Sequence, residues 1–403
     1  MEPRPPVGHF LTPSTLDGGT VNGHRLSVLI AHPSADLYGA DKVLLETVEG
    51  LLRGGARVLV TVPAEGPLVA ELQGRGAAVV LCPTPVLRRS MLTPSGATRF
   101  TADAIRGTAG GIGLIRRCKP DVLLANTSTV PLWAALARLC GVPAVVHVHE
   151  AEAYAPRLQQ ALLALPLSFA TSIVANSQFT ADTLVRSLPS LQGRSTVIYN
   201  GVPGPATEAR SRGRLDGGLR VLYVGRLSHR KGVDVVVEAI AQLNRKGHPT
   251  HLDVVGGAVP GADAYELDLR QRVAGQGAGA SVAFHGYQSD VWPFLADADV
   301  AVVPSRLDES FGNTAVEAIL AARPLVASSI SGLREAAGAY DSVQFVAPGS
   351  VQGLADALET VASQWAVYRS AAARDASLAR AKHSPVLYGE EMFRHLSQAT
   401  GQA

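Results

Sequence analysis

The sequence predicts an α/β protein with two doubly wound, Rossmann-like domains facing a central cleft. Three observations carry that prediction. Short runs of Val, Leu and Ile recur without polar–apolar alternation, which suits parallel strands buried on both faces. Helix-length stretches separate the runs, and strand–helix–strand alternation builds a doubly wound sheet. The pattern breaks once, at residues 201–218 (GVPGPATEARSRGRLDGG), where five Gly and two Pro mark a linker.

In the first half, residues 25–200, strands are expected at 26–32, 57–63, 77–83, 122–126, 144–149, 172–176 and 196–200. The intervening helices are expected at 40–53, 65–75, 97–118, 131–140, 155–169 and 178–188. The second half, 219–381, repeats the scheme. Its strands are expected at 220–225, 251–256, 282–286, 300–304, 324–328 and 343–347, and its helices at 232–246, 262–275, 313–322, 350–363 and 366–381. Residues 382–403 hold a last helix, 385–398, expected to pack back on the first half.

Composition narrows the function. The 403 residues suit two or three domains, and 47% apolar against 17% charged residues excludes a disordered chain. Thirty-six basic and 34 acidic residues give a net charge of +2, too balanced for a dedicated nucleic-acid binder. Cys82, Cys118 and Cys140 are far apart and lack a Cys-x-x-Cys, which argues against a disulfide scaffold and a cysteine zinc site. Residues 1–24, rich in Pro, Gly and Thr, read as a mobile tail without a secretory signal. The longest apolar stretch, 161–175, is too short to span a bilayer and contains Pro166. The expectation is a soluble, cytoplasmic protein.

In open α/β sheets, ligands bind outside the carboxyl ends of the strands. After the strand at 220–225 come Arg226 and Lys231, the latter expected to open a helix. Two cations there are placed to hold a diphosphate, Arg as a planar fork and Lys as a point charge. After the strand at 300–304 come Glu309, Phe311, Gly312, Asn313, Thr314 and Glu317. The N–H groups of residues 312–314 at a helix start form an anion site, and Gly312 leaves room for a phosphate. Glu317 lies one turn beyond Asn313, where ribose hydroxyls need an acceptor. Glu309 is positioned to accept from sugar hydroxyls.

The segments VLYVGRLSHRKG, FHGYQSDVWPFLADADVAVVPSRLDESFGNTAVEAI and PLVAS resemble the donor-binding half of retaining GT-B glycosyltransferases of family four. The Glu309/Glu317 pair matches that family's E-x7-E motif. The resemblance covers most of residues 25–380 and implies a GT-B fold. It implies that Arg226 and Lys231 grip the diphosphate of a nucleotide-sugar donor, that Glu317 binds the ribose and Glu309 the donor sugar, and that residues 311–314 sit beside sugar and phosphates. It further implies retention at the anomeric carbon with no cofactor and no metal required. Arg323 departs from the family, which usually has Gly there.

The first half is similar to the family at Gly39 and Ala40, in a loop after the first strand where Tyr38 replaces a Gly and Asp41 a Glu. Gly39 and Ala40 are therefore donor-side candidates. His147 and His149 alternate on one strand and point the same way. As a pair they suggest a metal site, but no third ligand is obvious. The expectation is a buried, hydrogen-bonded His147, with His149 resembling the family's donor-sugar histidine, a catalytic candidate beside Glu309, Arg226 and Lys231. Glu150 and Asp36 stay open as carboxylates near the chemistry. Ser177 is expected to cap a helix. Asn200 and Gly201 read as a linker turn, and the base is expected near Gly286 and Tyr287.

The stretch 88–119 carries Arg88, Arg89, Arg99, Arg106, Arg116, Arg117 and Lys119 against Asp103. It is either a face for anionic lipid headgroups at the inner membrane surface, for a lipid-linked acceptor, or a solvated helix face. The acceptor is a glycan, a lipid-linked molecule or a small molecule. A nonhydrolysing nucleotide-sugar epimerase and a two-lobed binding protein share the architecture and remain alternatives.

Overall fold

Strands rich in Val and Leu pair in parallel here because helices cover both faces. The computed structural model describes residues 25–86, 94–150, 156–207, 210–258, 263–275 and 281–401. The expected tail, 1–24, lies outside the described residues. The first sheet contains β1 (Ser27–Ala31), β2 (Arg57–Val62), β3 (Ala78–Leu81), β4 (Val122–Ala125), β5 (Ala144–Val148), β6 (Ser172–Ala175) and β7 (Ser195–Val197). The second contains β8 (Leu219–Val224), β9 (Thr250–Val255), β10 (Val282–Gly286), β11 (Val300–Val303), β12 (Leu325–Ser328) and β13 (Val343–Val346).

Their orders are β3-β2-β1-β4-β5-β6-β7 and β10-β9-β8-β11-β12-β13. Pairing is parallel throughout, from Val28 opposite Val122 to Val300 opposite Val221. Each order reverses at one point, between β1 and β4 and between β8 and β11. Side chains just beyond those four strands therefore lie at the rim of a crevice.

The chain crosses between the sheets twice. The Val202 N–H donates to the His383 carbonyl at 3.0 Å, tying the two crossings together. The last helix, Pro385–Ala399, packs against the first, Gly39–Arg53, burying Tyr388, Met392 and Leu396. Gly50 and Gly389 meet at this contact, where a Cβ on Gly50 would lie 2.3 Å from the Gly389 Cα. The Thr47 and Tyr388 hydroxyls hydrogen-bond at 2.6 Å beside it.

Several elements differ from expectation. The helix foreseen over 155–169 is Arg157–Ala164 followed by a 3-10 turn, Leu165–Phe169, because Pro166 cannot supply the α-helical N–H. Helices Trp292–Asp297 and Ser331–Ala337 are additional, and too short to show periodicity. Lys231 does not open a helix. It ends a 3-10 turn, His229–Lys231, and the helix begins at Val233 after Gly232. The segment read as a linker is tethered, since Arg212 forms an ion pair with buried Asp299 and its carbonyl accepts from Trp365 Nε1 at 3.0 Å.

Arg323, the family departure, has a structural reason. It is 1% exposed, and it donates to the Leu295 carbonyl at 2.7 Å, the Ala296 carbonyl at 3.0 Å and Ser211 Oγ at 2.6 Å. It thus satisfies carbonyls at the end of the Trp292–Asp297 helix and pins residue 211 to the second sheet. Among the described residues, no helix is long and apolar enough to cross a membrane.

The glycine contact between first and last helix gives a stability test. Gly389→Ala is expected to cost about 1–3 kcal/mol by overpacking. Gly74→Ala, whose added Cβ meets nothing within 4 Å, is expected to be neutral or slightly stabilising. Equal thermal midpoints for both variants would reject the close-packing account.

Candidate active site

The two crevices face each other across a cleft of about 590 Å³. The halves are bridged around it. Tyr287 Oη donates to the Leu37 carbonyl at 2.9 Å, and Lys42 Nζ donates to the Ser289 carbonyl at 3.3 Å. On another side, Glu335 accepts from the Gln178 and Phe179 N–H groups at the start of helix Gln178–Ser187. Ser177 caps that helix, its Oγ accepting from the Thr180 N–H, and also donates to the Ser310 carbonyl. A residue read as a plain cap thus also joins the halves.

The second half supplies the charged wall. Arg226 follows β8, is exposed to the cleft, and its guanidinium makes no hydrogen bond among the described residues. Lys231 Nζ donates to Glu309 Oε1 at 2.7 Å, and Ser305 Oγ donates to the same oxygen at 2.7 Å. Burial works to raise the Glu309 carboxyl, but Lys231 and the two hydrogen bonds outweigh it, and the pKa falls below the ordinary carboxylate value. Oε2 of Glu309 is left without a described partner.

Beyond Glu309 the chain turns into helix Asn313–Leu320. Gly312 is required here for its backbone, with φ +109, and an added Cβ would lie 2.4 Å from Leu333 Cδ2. The first backbone bond of the helix is Ala315 N–H to Gly312 carbonyl at 3.0 Å. The N–H groups of Gly312, Asn313 and Thr314 are therefore unspent among the described residues and line the cleft. Glu317 lies one turn on, lines the cleft, and makes no hydrogen bond among the described residues. Burial raises its carboxyl, opposed by Lys42 across the cleft.

Phe311 contributes differently from expectation. It is 1% exposed, and its ring packs 5.8 Å from that of Tyr199 and 5.7 Å from that of His383. It anchors the loop that carries Glu309. Asn200 is more than a turn residue, because its Nδ2 donates to Asn313 Oδ1 at 2.9 Å.

The first half supplies histidines and amides at the cleft beside Asp41, Lys42, Glu46 and Glu150. Gly39 and Ala40 begin the first helix at the cleft, and an added Cβ on Gly39 would enter open space. His149, just past β5, hydrogen-bonds through Nε2 with Asn126 Oδ1 at 3.2 Å. Asn126 Nδ2 reaches His32 Nδ1 at 3.1 Å, and His32 Nε2 reaches Asp41 Oδ1 at 2.6 Å. Burial, then the neighbouring His32, push His149 down to about 3, against a smaller opposing pull from Asp41. His147 lies behind it, ring centroids 3.9 Å apart. It is buried, but neither ring nitrogen has a hydrogen-bond partner among the described residues, contrary to the expected hydrogen-bonded histidine.

Among the described residues, no group of three or more His, Cys, Asp or Glu is arranged to hold a metal. Glu150 accepts from Thr127 Oγ1 and from Ser128 Oγ at 3.1 Å, which orients it at the cleft rim. Asp36 is exposed and does not line the cleft. Sequence reasoning missed His32, Asn126, Ser305 and Arg230, whose Nη2 donates to the Asp308 carbonyl at 2.6 Å. His32, Asn126 and Ser305 lie one or two residues past β1, β4 and β11, so the strand-end rule could have found them. Gly286 ends β10, and the adjacent Tyr287 lines the cleft. In the basic stretch, Arg106, Arg116, Arg117 and Lys119 are exposed, whereas Arg88 and Arg89 lie outside the described residues.

The family profile for glycosyl transferases group 1 matches residues 206–376, and that for glycosyltransferase family 4 matches residues 38–203. The chain is 30% identical over 359 residues to a D-inositol 3-phosphate glycosyltransferase of Catenulispora acidiphila, covering 78% of this chain and 81% of that one. It is 30% identical over 262 residues to the glycogen synthase of Mycobacterium tuberculosis, a match spanning 62% of each. Among solved structures, Anabaena HepE in complex with UDP and glucose superposes with a TM-score of 0.77 at 21% identity, over 93% of this chain and all of that one. These likenesses agree with the two-sheet GT-B architecture, and the chain belongs to glycosyltransferase family 4.

Proposed function

We propose that the protein is a retaining glycosyltransferase that moves a sugar from a nucleotide-diphosphate sugar to a hydroxyl of a glycan, glycolipid or small-molecule acceptor. The observation that carries the reading is the second-half wall: a free guanidinium, a lysine, unspent helix N–H groups and an unpartnered carboxylate within one cleft. In the reaction the bond from the anomeric carbon to the phosphate oxygen breaks and a bond to the acceptor oxygen forms. The acceptor proton passes to the departing phosphate, on the same face of the sugar. Arg226, Lys231 and the N–H groups of residues 312–314 stabilise the charge that develops there, the largest single contribution in many enzymes. Glu317 receives the ribose hydroxyls. Glu309 Oε2 and His149 receive those of the sugar.

Related proteins support this reading over an epimerase, since those reported above are named for glycosyl transfer or glycan synthesis. The Anabaena neighbour was solved with UDP, which makes uridine the first base to test. Peripheral contact with the cytoplasmic membrane face, through exposed Arg106, Arg116, Arg117 and Lys119, is supported only by their charge.

A thermal-shift panel with UDP, GDP, ADP and dTDP tests the donor site. A ligand at about 100 times its Kd adds roughly 2.7 kcal/mol. One nucleotide is expected to stabilise the protein, and Glu317→Ala to abolish that shift; stabilisation by none would reject the site. Lys231→Ala and Glu309→Ala are each expected to lower kcat by about 100-fold or more, and near-normal turnover in either removes that residue from the mechanism.

The Lys231–Glu309 pair also makes a pH prediction. The carboxyl has a lowered pKa in the fold, so its contribution to stability is full above the ordinary carboxylate pKa and fades as pH falls through the lowered one. In Lys231→Met only Ser305 and Arg230 still oppose burial, and the carboxyl titrates higher than in the wild type. The thermal midpoint is expected to fall less in the variant than in the wild type as pH drops through the carboxylate range, and superimposable acid limbs would contradict this.

A further inference from the structure

Four side chains from four elements form one hydrogen-bonded line along the cleft wall: Asp41 on the first helix, His32 after β1, Asn126 after β4 and His149 after β5. Its direction can be derived. Asp41 Oδ2 accepts from the Tyr38 N–H at 2.7 Å, a donor that cannot reverse, and Oδ1 accepts from Ser34 Oγ at 3.0 Å. Oδ1 also meets His32 Nε2, which must donate to a carboxylate. His32 faces the Asn126 Nδ2 donor with its other nitrogen, Nδ1, which accepts there. Asn126 is left with Oδ1 towards His149, so His149 donates from Nε2. The remaining nitrogen of His149, Nδ1, has no described partner, and the residue lines the cleft.

We propose that Asp41 and His32, acting through Asn126, are positioning residues that hold His149 as the neutral imidazole protonated on Nε2, so that Nδ1 accepts a hydrogen bond from one hydroxyl of the sugar in the cleft. The sugar half of the proposal rests on the glycosyltransferase reading; the tautomer does not. Burial of three of its members supports it, since His32 is 1%, Asp41 4% and Asn126 0% exposed, and hydrogen bonds are stronger in such low-dielectric surroundings. The packing of His147 against the His149 ring, without a partner of its own, favours an uncharged imidazole as well. The specificity that follows is directional. The sugar must present a hydroxyl that donates, and an isostere that only accepts is selected against.

Asp41→Asn reverses the line by design. The Tyr38 N–H still requires the side-chain oxygen, so the new amide nitrogen faces His32 and donates to Nε2. His32 then donates from Nδ1, the Asn126 amide turns over, and His149 accepts at Nε2 and carries its proton on Nδ1. Long-range 1H–15N correlation spectra of ring-labelled protein read the tautomer without any substrate. The wild type is expected to show His149 protonated on Nε2, and Asp41→Asn to show it protonated on Nδ1. A wild-type His149 protonated on Nδ1, or on both nitrogens, overturns the proposal even if the variant fails to fold. An unchanged tautomer in a folded variant overturns it too.

The second arm uses the nucleotide glucose whose base the thermal panel selects, with its monodeoxyfluoro analogues. One analogue is expected to lose about tenfold more kcat/KM than the others in the wild type, the worth of one hydrogen bond, and to lose that penalty in Asp41→Asn. Equal penalties in both proteins overturn the sugar contact while the spectra still decide the tautomer. Absence of transfer from every nucleotide glucose overturns it in the same way.

Discussion

Parallel pairing around two switch points is the constraint on which the rest of this structure depends. A parallel sheet sends every strand's carboxyl end to the same side, and a reversal of strand order opens a crevice there. Two such sheets gather chain exits from both halves around one cleft. His32, Asn126 and His149 leave the first sheet within one or two residues of a strand end. Arg226, Ser305 and Glu309 leave the second within two to six. None of these side chains needs a long loop to reach the cleft, which keeps the site on rigid elements and limits the conformational entropy spent in ordering it.

The walls differ in how they manage burial. On the second-half wall, charge is kept by pairing and by position. Lys231 and Ser305 hold Glu309 ionised despite burial, and both occupy Oε1, so Oε2 keeps its acceptor capacity. Glu317 has no such partner among the described residues, and burial raises it. A polyhydroxyl ligand there would supply the hydrogen bonds that the protein withholds. On the first-half wall, burial is handled by neutrality. His149 and His147 are pushed far below the usual histidine range, and their rings pack as uncharged bodies.

Much of the fold was legible because buried parallel strands and long amphipathic helices leave strong patterns. Boundaries of most of the described strands fell within one or two residues of expectation. The shortest helices were not legible, since six or seven residues cannot display a 3.6-residue period. The charged wall was legible for another reason: Arg226, Lys231, Glu309 and Glu317 are unusual residues directly after buried strands. Asp41, His32 and Asn126 were not, because each alone reads as a common polar residue, and only the sheet order brings β1, β4 and β5 side by side. Arg323 shows the opposite failure. Its sequence position invited a comparison with Gly, but its role depends on carbonyls of a helix that the sequence did not reveal.

The contrast between the walls bears on how one cleft handles two chemically different ligand parts. A diphosphate is a fixed anion, and it is best met by charges that cannot titrate near neutrality and by N–H groups that cost no reorganisation. Sugar hydroxyls are alike in charge and differ only in position and in donor or acceptor direction. Charges discriminate poorly among them, whereas a neutral side chain of defined tautomer distinguishes a donor from an acceptor. Asp41 supplies that definition, because a carboxylate only accepts and so obliges His32 Nε2 to donate. A carboxylate on the first helix therefore sets, through two intervening side chains, the hydrogen-bond sense of a ring nitrogen at the cleft.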